Sequence, residues 1–328
     1  MFNKLFSRAT RTPWFAAIVL AALGTGFAQA QPSKGPMTLV VPAAAGSAPD
    51  IVARLLGDEL QQRLGQPFIV ENKPGAGGIV AVMAAKSTTH PDTTLLFVHA
   101  AVATVTPLTY RAARFDLSTD FEPVATVADT PMMFVAHPAK GPKSLADAIA
   151  QAKAAPDTVA LGSTARGSIP NLAGVLLGQM SGAQFNNIPM SGSGQALQAV
   201  LAGDTPMSVD GIAPLLPMVK SGRLRALGVT SDRVLPGLEG LPLARETVPG
   251  LELTGWFMLL AARGTPPARI AQINAAVNAA LASPELVRKL QVTANYPVGG
   301  SAEQARQFLE SEKKKWAQAV QQAGLKPE

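Results

Sequence analysis

From Met37 onward the sequence alternates short apolar, β-branched runs with stretches whose apolar residues recur at helical spacing. That alternation favours one class of fold, an α/β chain with a largely parallel sheet covered by helices. Met37 to Val41 is the first strand signal and stops at Pro42. Ile51 to Leu64 carries Ile51, Leu55, Leu56 and Leu60 at helical intervals and closes at Gly65, the residue a left-handed helix end prefers. Pro67–Glu71 reads as a second strand, Asn72–Gly78 as a glycine-rich turn, Ile79–Lys86 as a helix and Thr94–Val98 as a third strand. Further on, Met132–Ala136, Val159–Gly162 and Leu224–Thr230 read as strands. Ser144 is placed to cap a helix over Leu145–Ala154, a second helix runs from about Pro170 to Met180, and Gln195–Leu201 forms a short third. The end is helical over 266–282, 284–291 and 302–323, the last opened by the Ser301/Gln304 capping box and stopped by Gly324.

The first thirty residues carry a different signal. Lys4, Arg8 and Arg11 occur without an acid, the apolar run Trp14–Leu23 follows, and Ala28-Gln29-Ala30 supplies small residues for cleavage. This is the build of a secretory signal peptide, residues 1–30, with the mature chain expected to begin at Gln31 in the periplasm. Its apolar run is too short to cross a bilayer of about 30 Å. Losing those three cations lowers the formal charge from +6 to +3. The remaining lysines and arginines are dispersed, and Lys313-Lys314-Lys315 falls on a helix as a solvated face, so no nucleic-acid partner is expected.

The absence of cysteine excludes disulfides, thiolate nucleophiles and zinc–thiolate sites. His90, His99 and His137 lack metal-ligand spacing, so neither a metal nor another cofactor is expected. The sequence contains no G-x-G-x-x-G, Walker A, G-x-S-x-G or H-E-x-x-H motif. A binding protein fits these absences better than a catalyst.

An ordered series of segments then becomes recognisable. Leu39-Val40-Val41-Pro42 with Gly46 and Asp50, Leu64-Gly65-Gln66-Pro67, Glu71-Asn72-Lys73-Pro74-Gly75-Ala76-Gly77-Gly78, Asp120-Phe121-Glu122-Pro123-Val124, Gly167-Ser168, Leu224-Arg225-Ala226-Leu227-Gly228-Val229-Thr230-Ser231 and Gly264-Thr265-Pro266 recur in the expected order. The series resembles the Bug family, the periplasmic receptor component of tripartite tricarboxylate transporters. The resemblance implies a two-lobed, Venus-flytrap fold of the type II periplasmic-binding-protein kind with a ligand cleft between the lobes. Residues 31–131 and 251–328 would form lobe 1 and 132–250 lobe 2, with crossings near Met132–Ala136 and Gly250–Trp256. It implies capture of a small carboxylate-bearing solute and its delivery to membrane permease subunits, by a chain that is monomeric by default. A sensory binding protein feeding a signalling partner is the alternative, and a secreted α/β hydrolase a more distant one.

Physical chemistry points to the same loops. A carboxylate seeks the free N–H groups of a helix start, and ligands of open α/β sheets sit at the carboxyl ends of strands. In the first loop Ala44, Gly46, Ser47 and Ala48 are the ligand-facing candidates. Ser47 and Asp50 have capping-box spacing, so Asp50 is expected to satisfy helix amides, and Pro49 removes a donor. Gly75 belongs to a turn that serves either chain reversal or ligand approach, and Ala100 follows a strand next to His99. In lobe 2, Ser163, Thr164, Arg166, Gly167 and Ser168 make a hydroxyl-rich loop at a helix start. Arg166 stands where the family more often has an uncharged residue; it either meets an anion or points outward from the rim. Asn187 and Met190 lie where the family shows a histidine–valine–proline–tyrosine–lysine–glycine run, and Asp210 where it often carries an aspartate near the cleft. With Arg166 as the only fixed cation near the cleft, a monocarboxylate with an apolar or aromatic body is expected to be preferred over citrate-like acids.

Overall fold

The computed structural model describes residues 35–327. The expected signal peptide, residues 1–30, and the cleavage before Gln31 lie outside the described residues. The chain opens with β1 (Met37–Val41), α1 (Ala48–Leu64), β2 (Phe68–Asn72), α2 (Ile79–Lys86) and β3 (Thr94–His99). Three short helices follow: α3 (Ala100–Thr104), α4 (Thr106–Thr109) and α5 (Leu117–Asp120). The middle runs β4 (Phe121–Ala136), α6 (Leu145–Ala154), β5 (Ala160–Ser163), α7 (Ile169–Ser181), β6 (Asn186–Pro189), α8 (Ser193–Ala202), β7 (Met207–Gly211), α9 (Ile212–Lys220) and β8 (Arg225–Val229). It ends with β9 (Thr254–Ala262), α10 (Pro267–Leu281), α11 (Pro284–Val292), β10 (Tyr296–Gly299) and α12 (Ala302–Gln322).

Among the described residues the strand order is β2-β1-β3-β9-β4-β7-β5-β6, with β8 and β10 also on β4. β1 pairs in parallel with β2 and β3, and β5 with β6 and β7, while β9 and β4 run antiparallel to their neighbours in the middle. β4 is therefore the strand that joins the ladders of β1–β3 and β9 to those of β5–β7. Its ladder with β9 runs from Phe121↔Ala262 to Pro131↔Thr254, and its ladder with β7 starts at Met132↔Gly211. A proline at the changeover fits, because it lacks the N–H that a continuing ladder would demand. Met132–Ala136, read from the sequence as a strand of its own, is the end of this longer one.

Helices cover the sheet through the apolar faces that the sequence spaced for them. In the first lobe Val52, Ala53, Leu56 and Leu60 of α1 pack with Ile273, Val277 and Ala280 of α10 against Leu39, Val41, Leu95 and Phe97. On the other side, Leu172, Ala173, Leu176 and Leu177 of α7 share a core with Leu309, Trp316, Ala319 and Val320 of α12. The second lobe's remaining core gathers Met133, Val135, Val200, Leu215 and Val229.

Near its changeover β4 carries a carboxylate at Asp129, paired across the ladders with Trp256 of β9 and Tyr296 of β10. Burial raises its pKa from 3.8 to about 6; Arg233 opposes this, and the negative charges of Glu312 and Asp232 add to it. A carboxyl with a raised folded-state pKa binds its proton more tightly folded than unfolded. Its share of stability is thus present below the unfolded value and is lost as pH rises from about 4 through about 6. Asp129→Asn should stabilise the protein by about 2 kcal/mol at pH 7.5 and flatten the dependence across that window. Urea unfolding at pH 4.5, 6 and 7.5 checks this; equal midpoints for variant and wild type at pH 7.5 would refute it.

Candidate functional site

The first loop, between β1 and α1, is held by a network centred on buried Asp50. Its Oδ2 accepts from the Gly46 amide at 2.8 Å, its Oδ1 accepts from Asn72 Nδ2 at 3.0 Å, and Arg54 pairs with it at 2.9 Å. Burial would raise this carboxyl, but Arg54, the Gly46 amide and Asn72 hold it below the usual carboxylate range. Asn72 also donates to the Ala43 carbonyl at 3.1 Å. The aspartate thus fastens the loop ahead of the helix and does not cap α1, as its spacing from Ser47 had suggested. Ser47, at the N-cap, donates its hydroxyl to the Ala44 carbonyl at 2.6 Å, and α1 begins without a side-chain cap. Pro49 sits in its first turn. Ala44, Gly46 and Ala48 are exposed and Ser47 is half-buried, so the loop offers small side chains and a helix start on a fixed backbone.

The glycine-rich turn after β2 has a structural account. Gly77 and Gly78 hold positive φ, and a Cβ on Gly78 would fall 2.6 Å from Val102 Cγ2, one on Gly77 2.7 Å from Tyr110 Cε2. Only glycine permits that approach. Gly75 is exposed at φ 124°. Ala100 is buried at the start of α3, where its carbonyl accepts from Thr104 Oγ1. His99 beside it is held neutral, its pKa lowered to about 4 by burial.

In the second lobe the loop after β5 is also internally braced. Ser168 caps α7, accepting from the Asn171 amide at 3.2 Å, and its hydroxyl pairs with Thr164 Oγ1 at 2.7 Å. The Gly167 amide donates to Asn171 Oδ1, and Asn171 Nδ2 donates to the hydroxyl of Ser163, which is fully buried under the loop. Asn187 is turned inward: its Oδ1 is buried without a partner, against Gly174 of α7. Met190 is half-buried near Gly162. Asp210 Oδ1 accepts from the Gly211 amide at 2.7 Å, while no group meets hydrogen-bond geometry at its buried Oδ2. Burial raises its pKa, with Ser193 and the Gly211 amide opposing.

Gly167 brings this loop against Val105, between α3 and α4, and against Leu325, past the end of α12. A Cβ there would lie 3.8 Å from Val105 Cγ1 and 3.9 Å from Leu325 Cδ1. Next to this contact Arg166 and Gly167 line a cavity of about 380 Å³ with Thr109, Tyr110 and the C-terminal segment Gly324–Pro327. The structure thus brings Arg166 and Gly167 together with two further segments that no local sequence signal linked to them. Lys326, Thr109 and Tyr110 went unrecognised because only tertiary folding places them there.

Comparison with known proteins bears on this arrangement. The family model for the tripartite tricarboxylate transporter family receptor matches residues 52–325. Protein BugT of Bordetella pertussis is 33% identical over 293 residues, 89% of this chain and 90% of BugT. Among solved structures, R. palustris Rpa4515 with adipate superposes with a TM-score of 0.80 at 30% identity, covering 90% of this chain and 99% of that one. MatC (Rpa3494) from Rhodopseudomonas palustris with bound malate gives 0.74 at 28% identity, with 87% and 98% covered.

Proposed function

The chain belongs to the tripartite tricarboxylate transporter family of receptors, and from that premise we propose that it is a periplasmic receptor that captures a small carboxylate-bearing solute between two lobes and hands it to a membrane permease. The observation that carries the reading is the presence of two small-residue loops, 43–48 and 163–168, each at the carboxyl end of a parallel strand and each leading into a long helix. Backbone amides at such positions hold a carboxylate without a dedicated cation. The reading lines one side of the carboxylate with Ala44, Gly46, Ser47 and Ala48 and the other with Thr164, Gly167 and Ser168; the amides of Gly46 and Gly167 stay on Asp50 and Asn171 and shape the loops, which leaves the Ala48 and Thr164 amides and the hydroxyls to meet the solute. Ser163, Asn171 and Asp50 act as positioning groups that hold the loops. The lobes divide at 131/132 and 250/251, and closure about these crossings buries the solute. The ligands named for the related structures, adipate and malate, support a carboxylate as the captured group. The solute is released unchanged.

A thermal-shift panel of aliphatic and aromatic monoacids, C4–C6 diacids, citrate and acidic amino acids tests this, since a ligand that binds only the folded chain raises its midpoint by mass action. At least one acid should raise the midpoint by several degrees, and small-angle scattering at saturation should show a smaller radius of gyration. No shift with any acid at millimolar concentration would overturn the reading.

A further inference from the structure

A second concavity lies apart from the loops 43–48 and 163–168, none of whose residues line it. It is a groove of about 570 Å³ between α9 and α11. Ala213, Leu216 and Pro217 recur at helical spacing and so share one face of α9, as Arg288, Gln291 and Val292 share one face of α11. Tyr296 and the Pro236–Gly237 turn complete the lining, joined by a hydrogen bond from the Tyr296 hydroxyl to the Pro236 carbonyl at 3.0 Å. Val292 is 83% exposed, the most exposed large apolar side chain among the described residues, and the exposed Val234 and Val298 lie close to the lining in sequence. Apolar exposure gathered in this way marks a binding surface. Two cations line the same groove, Lys220 at the end of α9 and Arg288, and no aspartate or glutamate does. Neither cation forms an ion pair among the described residues. Glu239 lies within electrostatic reach of Lys220, and Glu285 of Arg288, but each carboxylate has another partner. Glu239 accepts from the Gly237 amide at 3.0 Å, and Glu285 pairs with Lys289 at 2.7 Å.

We infer that the groove between α9 and α11 binds a single-chain amphiphilic anion, an alkyl chain ending in a charged head, at a site separate from that of the captured solute. The walls set the body of the ligand. They are mostly aliphatic, and apart from the two cations the Gln291 amide is the main polar side chain free to face them. A ligand polar along its length would leave groups unpaired there, whereas an alkyl chain loses nothing. The cations set the head. Lys220 and Arg288 are exposed on long, flexible stems, so either can lie along the apolar wall and carry its charge to the rim. A carboxylate, sulfate or phosphate there gains charge-assisted hydrogen bonds that a neutral head cannot. The volume falls in the range of small-ligand sites, roughly 300–1,000 Å³. A second copy of the chain on a twofold axis would instead bring the same two cations toward each other, which disfavours self-association through this face. The inference does not depend on the receptor reading.

Isothermal titration with hexyl, octyl and decyl sulfate, each kept below micelle formation, tests the site. One saturable site per chain should appear, strengthening about twofold to threefold with each added methylene. Decanol should bind about fivefold more weakly than decyl sulfate, or worse. Decanoate and decyl phosphate then separate a free fatty acid from a phosphorylated headgroup as the source of the anion. Lys220→Met and Arg288→Met should each weaken decyl sulfate about threefold and leave decanol within about twofold. Ala213→Glu sets a carboxylate on the groove wall, in the first turn of α9 where the helix dipole favours an acid, and should weaken decyl sulfate more than about tenfold. Ala213, Lys220 and Arg288 are all exposed, so the variants should unfold at the wild-type midpoint, and that control is run alongside. Equal affinity for decyl sulfate and decanol overturns the inference, as does an affinity unmoved by Ala213→Glu. Displacement of decyl sulfate by adipate would put the amphiphile in the captured solute's place and overturns it too. So does the absence of any saturable site, which would leave the groove to a protein partner. None of these outcomes alters the receptor reading, whose own test is the acid panel.

Discussion

Replacing Glu312 by alanine should destabilise the folded chain by about 3–5 kcal/mol, the largest loss expected from any single polar substitution considered. Glu312 lies on α12 with a side chain only 9% exposed. Its Oε2 accepts from the indole N–H of Trp256 on β9 and from that of Trp316 one turn along the helix, each at 2.8 Å. Both indoles are completely buried. Trp256 also meets Phe308 edge-on, with centroids 5.4 Å apart. Removing the carboxylate leaves two buried donors without an acceptor, and each such group costs roughly 1–3 kcal/mol, with a cavity term on top. Glu312→Gln keeps an acceptor oxygen and should lose about 1–2 kcal/mol, because the bond is no longer charge-assisted. Chemical unfolding followed by tryptophan fluorescence measures both. A loss below 1 kcal/mol for Glu312→Ala would mean that water reaches the indoles.

The alternation of strand and helix signals placed β1, α1, β2, α2 and β3 in order, and the caps at Ser144 and Ser301 form as their spacing suggests. What escaped the reading was non-local. β9 is buried on both faces, so Thr254–Ala262 shows no alternation and looks like a crossing segment. The first part of β4 contains Pro123 and ends at Pro131, which argue against a strand; the ladder accommodates Pro123 through a register shift between Pro123 and Ala125. At the site, Ser47 and Asp50 have the spacing of a capping box, but Asn72 reaches in from β2, Arg54 pairs with the carboxylate from the next turn of the same helix, and Asp50 accepts from the Gly46 amide instead. A spacing rule sees one helix end; it cannot see a competing donor from the next strand. Lys326 illustrates the same limit, since nothing in the last residues signals that they line a cavity with Arg166.

Thr230→Val should cost about 2–4 kcal/mol and loosen the junction of β4, β8 and β9, where the proposed lobes would cross. Thr230 directly follows β8 and is fully buried. Its amide donates to the Met132 carbonyl at 3.0 Å, and its carbonyl accepts from the Leu253 amide at 3.0 Å. Its hydroxyl accepts from the Met132 amide at 2.9 Å and donates to the Leu253 carbonyl. Met132 is where β4 changes partners, and Leu253 directly precedes β9, so one side chain ties together the middle of β4, the end of β8 and the entry to β9. Valine keeps the branched shape and removes only the hydroxyl, leaving a buried N–H and a buried C=O unmatched at the crossings. Thr230→Ser restores the hydroxyl and should lose only the methyl's share, about 1 kcal/mol. The amide of Met132 should exchange with solvent faster in Thr230→Val and at nearly the wild-type rate in Thr230→Ser, because the hydroxyl is its acceptor. A loosened join also widens the range of open conformations, so carboxylate affinity should fall in Thr230→Val with no loop residue altered. Unchanged stability together with unchanged exchange at Met132 would show that the two crossings hold their positions without this threonine.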